Sequence, residues 1–124
     1  MSYTPDVWVI VEIKNKTTGK KLHKLLSGWY GGFAGSDSWR LNSGITKIVP
    51  SQDNQEVLGV HGSSGSIYHC HKAAERTSSL TGSILRQMQE EAEKDGSYEV
   101  RTVPVEGLEI DADEAADFYS SRCL

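Results

Sequence analysis

Cysteine, proline and long apolar runs are all scarce in this chain of 124 residues, and each shortage excludes something. Two cysteines, Cys70 mid-chain between two histidines and Cys123 next to last, do not make a disulfide framework; free thiols in a reducing compartment are expected. No apolar stretch approaches the ~18 residues needed to cross a bilayer, and the first residues lack the basic start, apolar middle and small-residue cleavage site of a secretory signal. The expected location is the cytoplasm, without a membrane partner. A basic stripe is missing too. The formal net charge is −4, and the positive balance that phosphate backbones require is confined to the first part of the chain. Residues 1–76 hold nine Lys and Arg against six Asp and Glu, a net +3, whereas residues 77–124 hold four against eleven, a net −7. Nucleic acid is therefore not an expected partner, while a small anion held by the first half is compatible with the charge.

What is present fits one domain over residues 1–124, since two would each fall near the size at which a core stops supporting itself. Residues 6–14, DVWVIVEIK, alternate Val7, Val9, Val11 and Ile13 with Trp8 and Ile10, so both faces carry apolar side chains as in a central strand. NKTTGK reads as a hairpin turn and KLHKLLSGWY as the returning strand. SWRLN, ITKIVP, EVLGVHG and SIYHCHK are further short strands, and SYEVRTVPVEG is a last one that Pro104 assigns to an edge. From Thr77 the period changes to that of a helix: Leu80, Ile84, Leu85, Met88 and Ala92 share a face, Ser78 or Ser79 caps the start and Gly96 stops it. Residues 111–122, DADEAADFYSSR, suit a short terminal helix. The expected class is α+β: a small, mostly antiparallel sheet with one amphipathic helix packed on it.

Residues 28–45, GWYGGFAGSDSWRLNSGI, concentrate five glycines, two tryptophans and Arg40. Glycine lets backbone N–H groups approach phosphate oxygens, Ser36, Ser38 and Ser43 add hydroxyls, Arg40 adds a fork-shaped cation, and Trp29, Tyr30 or Trp39 offers a stacking face. The candidate ligand-binding set is Trp29, Tyr30, Gly31, Gly32, Ser36, Ser38, Trp39, Arg40 and Ser43, with Ser64, Gly65 and Ser66 from a second Ser-Gly turn. The structural alternative puts Trp29 and Trp39 in the core and leaves the glycines to turn the chain. Neither a Walker loop nor a dinucleotide fingerprint is present, because no Gly-Lys-Ser/Thr and no helix follow the glycines.

His61, His69, Cys70 and His71 invite a metal reading. A three-residue turn at residues 64–66 would gather three histidines, and a two-residue turn would separate them. With no carboxylate placed as a base, neither a metal nor a catalytic set is assigned, and Cys70 reads as a small buried residue. No cofactor is expected.

With GWYGGFAGSDSWRLNSGITKI followed by VHGSSGSIYHCHK, residues 6–72 resemble a group of small proteins encoded by tailed bacteriophages. The resemblance implies a setting: a non-enzymatic accessory protein in the host cytoplasm that acts by binding. Within it, the Gly/Ser/aromatic/Arg composition between Gly28 and Ser66 makes a small nucleotide-like host-defence signal, bound and sequestered, the expected ligand. The alternative within that setting is an inhibitor of a host defence or nucleic-acid enzyme that acts through the acidic C-terminal half. A histidine-based metal-dependent enzyme is the least favoured reading. A ligand as large as a nucleotide is enclosed most easily at an interface, so a homo-oligomer is compatible with the ligand reading.

Overall fold

The computed structural model describes residues 1–32 and 35–110. Its strands are β1 (Ser2–Tyr3), β2 (Val7–Asn15), β3 (Lys21–Trp29), β4 (Ser38–Leu41), β5 (Ile45–Pro50), β6 (Val57–Gly62), β7 (Ile67–His71) and β8 (Tyr98–Val103). A single-turn 3-10 helix at Lys72–Ala74 and the helix α1 (Ser79–Asp95) separate β7 from β8. They form two four-stranded sheets, ordered β1-β7-β6-β5 and β4-β3-β2-β8. The ladders are antiparallel except that β1 lies parallel to β7. The α+β class expected from the sequence holds, with the sheet divided in two.

The division occurs between β4 and β5. Leu41 still pairs with Leu26 of β3, whereas Ile45 pairs with Gly62 of β6, so the chain changes sheets across residues 42–44. Gly44 makes this corner at φ 147°, where a side chain would be strained. Asn42, buried at the bend, takes over ladder bonds with its amide: its Oδ1 accepts from the Leu25 N–H at 2.7 Å, and its own N–H donates to the Leu25 carbonyl at 3.0 Å.

Alternation decides which side chains meet between the sheets. Trp8, Ile10 and Leu25 face Leu58, Val60, Tyr68 and Cys70 across a shared buried cluster. Each aliphatic side chain of this cluster contributes about 1.5–3 kcal/mol on burial. Trp8 is anchored further, its indole N–H donating to the His71 carbonyl at 2.8 Å. β2 occupies the central position expected of it, between β3 and β8, and the alternate residues Val7 and Val11 are buried as well.

The other side of β3 receives α1. Gly28 provides the close approach: a Cβ there would lie 2.7 Å from the Thr81 methyl and 3.0 Å from Val7 Cγ2. Thr81 also closes the helix start, its N–H donating to Ser78 Oγ at 3.1 Å while its hydroxyl accepts from the Ser78 N–H at 2.8 Å. Gly96, at φ 77°, ends the helix. Leu80, Ile84, Leu85 and Met88 are half-buried; the buried helix residues are Thr81, which lies against Gly28, and Ala92. β8 is the edge strand that Pro104 foretold. The terminal helix expected at residues 111–122 lies outside the described residues.

Candidate functional site

Two groups of polar side chains project from the same face of the second sheet, at opposite ends of β3. At the first end the register sets Glu12 beside His23 and Arg101. The Glu12 carboxylate is 4% exposed, yet it accepts from Arg101 Nη2 at 3.1 Å and Nε at 3.3 Å, with Lys21 Nζ at 3.4 Å and His23 Nε2 at 3.9 Å. The cations meet the cost of burying the charge, and they keep one foot in water: the side chains of Lys21 and Arg101 are 41% and 59% exposed. A cleft of about 360 Å³ opens there, between this cluster and residues 103–109.

At the second end, Arg40 of β4 stands opposite Ser27 in the ladder. Its guanidinium lies 4.8 Å over the Tyr3 ring, which stacks at 4.9 Å on Tyr68 and meets Trp29 at 6.2 Å and 60°. Trp29 is held in turn by its indole N–H, which donates to the Thr4 carbonyl at 3.0 Å. Burial raises the Tyr68 phenol above its ordinary value of 10.0, while the charge and hydrogen bond of Arg40 act in the opposite direction. No carboxylate pairs with Arg40 among the described residues. The Ser27 hydroxyl, wholly buried on the same face, has no hydrogen-bond partner among the described residues.

The residues singled out in the sequence are therefore distributed rather than gathered. Trp29 and Arg40 share the Tyr3 platform, but Trp39, adjacent to Arg40 in a strand, points to the helix side and is 44% exposed. In the glycine loop the Tyr30 N–H donates to Asp6 Oδ2 at 2.9 Å and the Gly31 N–H to Asp37 Oδ1 at 3.0 Å, so two carboxylates already occupy amides that a phosphate would need. Gly32, at φ 68°, is exposed, as are Ser36 and Ser38. The two Ser-Gly turns do meet: Ser43 Oγ lies 2.6 Å from Ser63 Oγ, and the Ser63 N–H donates to the Gly44 carbonyl at 2.8 Å. They meet at the end of β4 away from the glycine loop. Ser64, Gly65 at φ 92° and Ser66 belong to the tip joining β6 to β7.

That tip turns one residue earlier than either register considered in the sequence, with Gly62 bonded to Ser66 and His61 opposite Ile67. His61, His69 and His71 consequently share the outer face of the first sheet, with Gly59 opposite His69. They do not converge: no group of three potential metal ligands stands close enough to hold one ion among the described residues. Cys70 points inward instead, and burial pushes its thiol up to about 12, which suppresses the nucleophilic thiolate.

Sequence reasoning missed Tyr3, Ser27, Asp6 and Asp37. Tyr68 stood in the stretch VHGSSGSIYHCHK, but nothing in the spacing ties residue 3 to residue 68. No helix among the described residues is long and apolar enough to cross a membrane. Comparison with family models, with curated proteins and with solved structures finds no match.

Proposed function

We propose that the chain is a non-enzymatic binding protein that takes a small nucleotide-like anion at Arg40. The observation that carries this reading is the cation itself: Arg40 is exposed, fixed over Tyr3 and paired with no described carboxylate. An arginine held flat by an aromatic ring keeps its remaining N–H groups in a fork suited to phosphate oxygens, and little rotamer freedom is left to lose on binding. Exposed Tyr30 and half-buried Trp29 stand near the same end of β3 and offer ring surface for a base. The unpartnered Ser27 hydroxyl lies next to Arg40 in the register, as a further polar group on that face. In the setting implied by the likeness to phage proteins, the ligand is a host-defence signal and the action is sequestration.

The test is calorimetric titration of the chain with inorganic phosphate, a nucleoside, a linear nucleotide and a cyclic nucleotide. A nucleotide should bind more tightly than phosphate or nucleoside alone. Arg40→Ala should weaken that binding at least tenfold, and Arg40→Lys, which keeps the charge without the fork, should recover only part of it. Equal affinity in the parent and Arg40→Ala would remove the assignment.

A further inference from the structure

A cleft of about 540 Å³ opens between the first sheet and the segment that leaves β8, a size that suits a small molecule. Ile48 and Pro50 of β5 and Leu58 of β6 form one wall. Val105 and Leu108 form the other, and a turn makes it: the Leu108 N–H donates to the Val105 carbonyl at 3.1 Å, while Gly107 takes φ 77°, where glycine is favoured. Ile48, Val105 and Leu108 also pack on the buried cluster, so the apolar lining carries the core out to the surface.

Three charged side chains complete the lining: Lys72, Glu75 and Glu106. Glu75 is half-buried and held in place, its Oε2 accepting from the Val105 N–H at 2.8 Å, whereas Lys72 and Glu106 are exposed. No ion pair joins the three to one another or to any other described residue. Glu75 follows the 3-10 helix Lys72–Ala74, and its N–H donates to the Lys72 carbonyl at 3.4 Å. Three residues make one turn of such a helix, so the Lys72 and Glu75 side chains leave from the same side of it. Their charged ends nevertheless stand beyond ion-pair distance.

Both signs of charge therefore border the apolar lining unmatched. A ligand with a single charge of either sign meets a like charge in the cleft, and a neutral one leaves all three side chains without a partner. A compact zwitterion matches both signs.

We infer that this cleft is a binding site for a small zwitterion with an apolar body, the chemistry of a free aliphatic or aromatic amino acid. The ligand ammonium pairs with Glu75, its carboxylate with Lys72, and its side chain displaces water from Ile48, Leu58 and Leu108. Glu106 adds a second negative group on the ammonium side of the charge balance. Arg40 takes no part, so the site does not rest on the nucleotide reading.

Nuclear magnetic resonance titration of the full chain with L-phenylalanine and L-leucine should give saturable shifts at the amides of Lys72, Glu75 and residues 105–108. Glycine lacks the apolar body, phenethylamine the carboxylate and hydrocinnamate the ammonium; each should bind about tenfold more weakly than phenylalanine, or worse. Glu75→Gln removes the charge yet keeps an acceptor for the Val105 N–H, so the turn should hold while phenylalanine affinity falls about tenfold. Lys72→Met should weaken phenylalanine similarly from the opposite sign. No saturable shift at these amides with either amino acid, an amine or acid that binds as tightly as phenylalanine, or full affinity in either variant would each overturn the assignment. Should a variant misfold, the ligand series on the parent chain decides alone.

Discussion

Glu12 and Arg40 project from the same face of the same sheet, at opposite ends of β3, and their treatment is opposite. The anion is nearly buried and has three basic neighbours; the cation is exposed and rests on an aromatic ring without a described carboxylate. Burial explains the first case, since a carboxylate removed from water needs its charge matched locally. Exposure permits the second, since a solvated guanidinium pays little for standing alone. The difference teaches that the ladder closes its charge balance where the sheet is covered and leaves it open at β4.

The strongest way to break this comparison is Glu12→Ala. Removing the anion should cost about 2 kcal/mol, below the ~3–5 kcal/mol of a fully buried pair because Lys21 and Arg101 can turn to water. Urea denaturation measures it, and a loss under ~0.5 kcal/mol would rank Glu12 with ordinary surface pairs. Arg40→Ala should cost at most about 1 kcal/mol of stability, the size of an exposed cation–π contact. It should also raise the Tyr68 phenol further, since the lowering influence of Arg40 is gone. Ultraviolet titration of the phenolate reads that shift directly. The smallest effect is expected from Ser27→Ala: with no bond to lose, stability should stay within about 1 kcal/mol of the parent or improve. A larger loss by thermal denaturation would reveal a partner for the hydroxyl.

pH sharpens the contrast from the alkaline side. Cys70 and Tyr68 both hold their protons more tightly folded than unfolded. Above the ordinary thiol value the unfolded chain binds fewer protons than the folded one, so stability falls as pH rises from about 9 towards 12. Cys70→Ala should flatten the earlier part of that fall in urea titrations carried out across the range.

Much of the scaffold was legible because it is periodic. The two-sided alternation of residues 6–14 marked a central strand, and the spacing from Leu80 to Ala92 marked the helix with its Ser78 cap and Gly96 stop. The split into two sheets was not legible, since it depends on a three-residue bend whose only local signs are Asn42 and Gly44. The site was legible in part. Composition drew attention to Trp29 and Arg40, but it could not show that Asp6 and Asp37 take up the loop amides, or that strand alternation sends Trp39 away from Arg40. The first depends on which carboxylate lies across a turn, which residue types do not carry; the second follows from alternation once SWRLN is read as a strand. The histidines were decided by a single residue of turn position.

The parallel pairing of β1 with β7 has a consequence for the order in which the molecule is completed. Ser2 and Tyr3 stand far ahead in the chain of their partners Ile67 and Tyr68, which are made much later. The hairpin of β2 and β3 has only local contacts to find, whereas β1 must wait for most of the opposite sheet. Tyr3, the ring beneath Arg40, is therefore made before Trp29, Arg40 and Tyr68 but cannot take its place until β7 exists. A nascent chain halted before β7 carries Arg40 without its aromatic support, so capture of the proposed nucleotide would report that the first residues have come home.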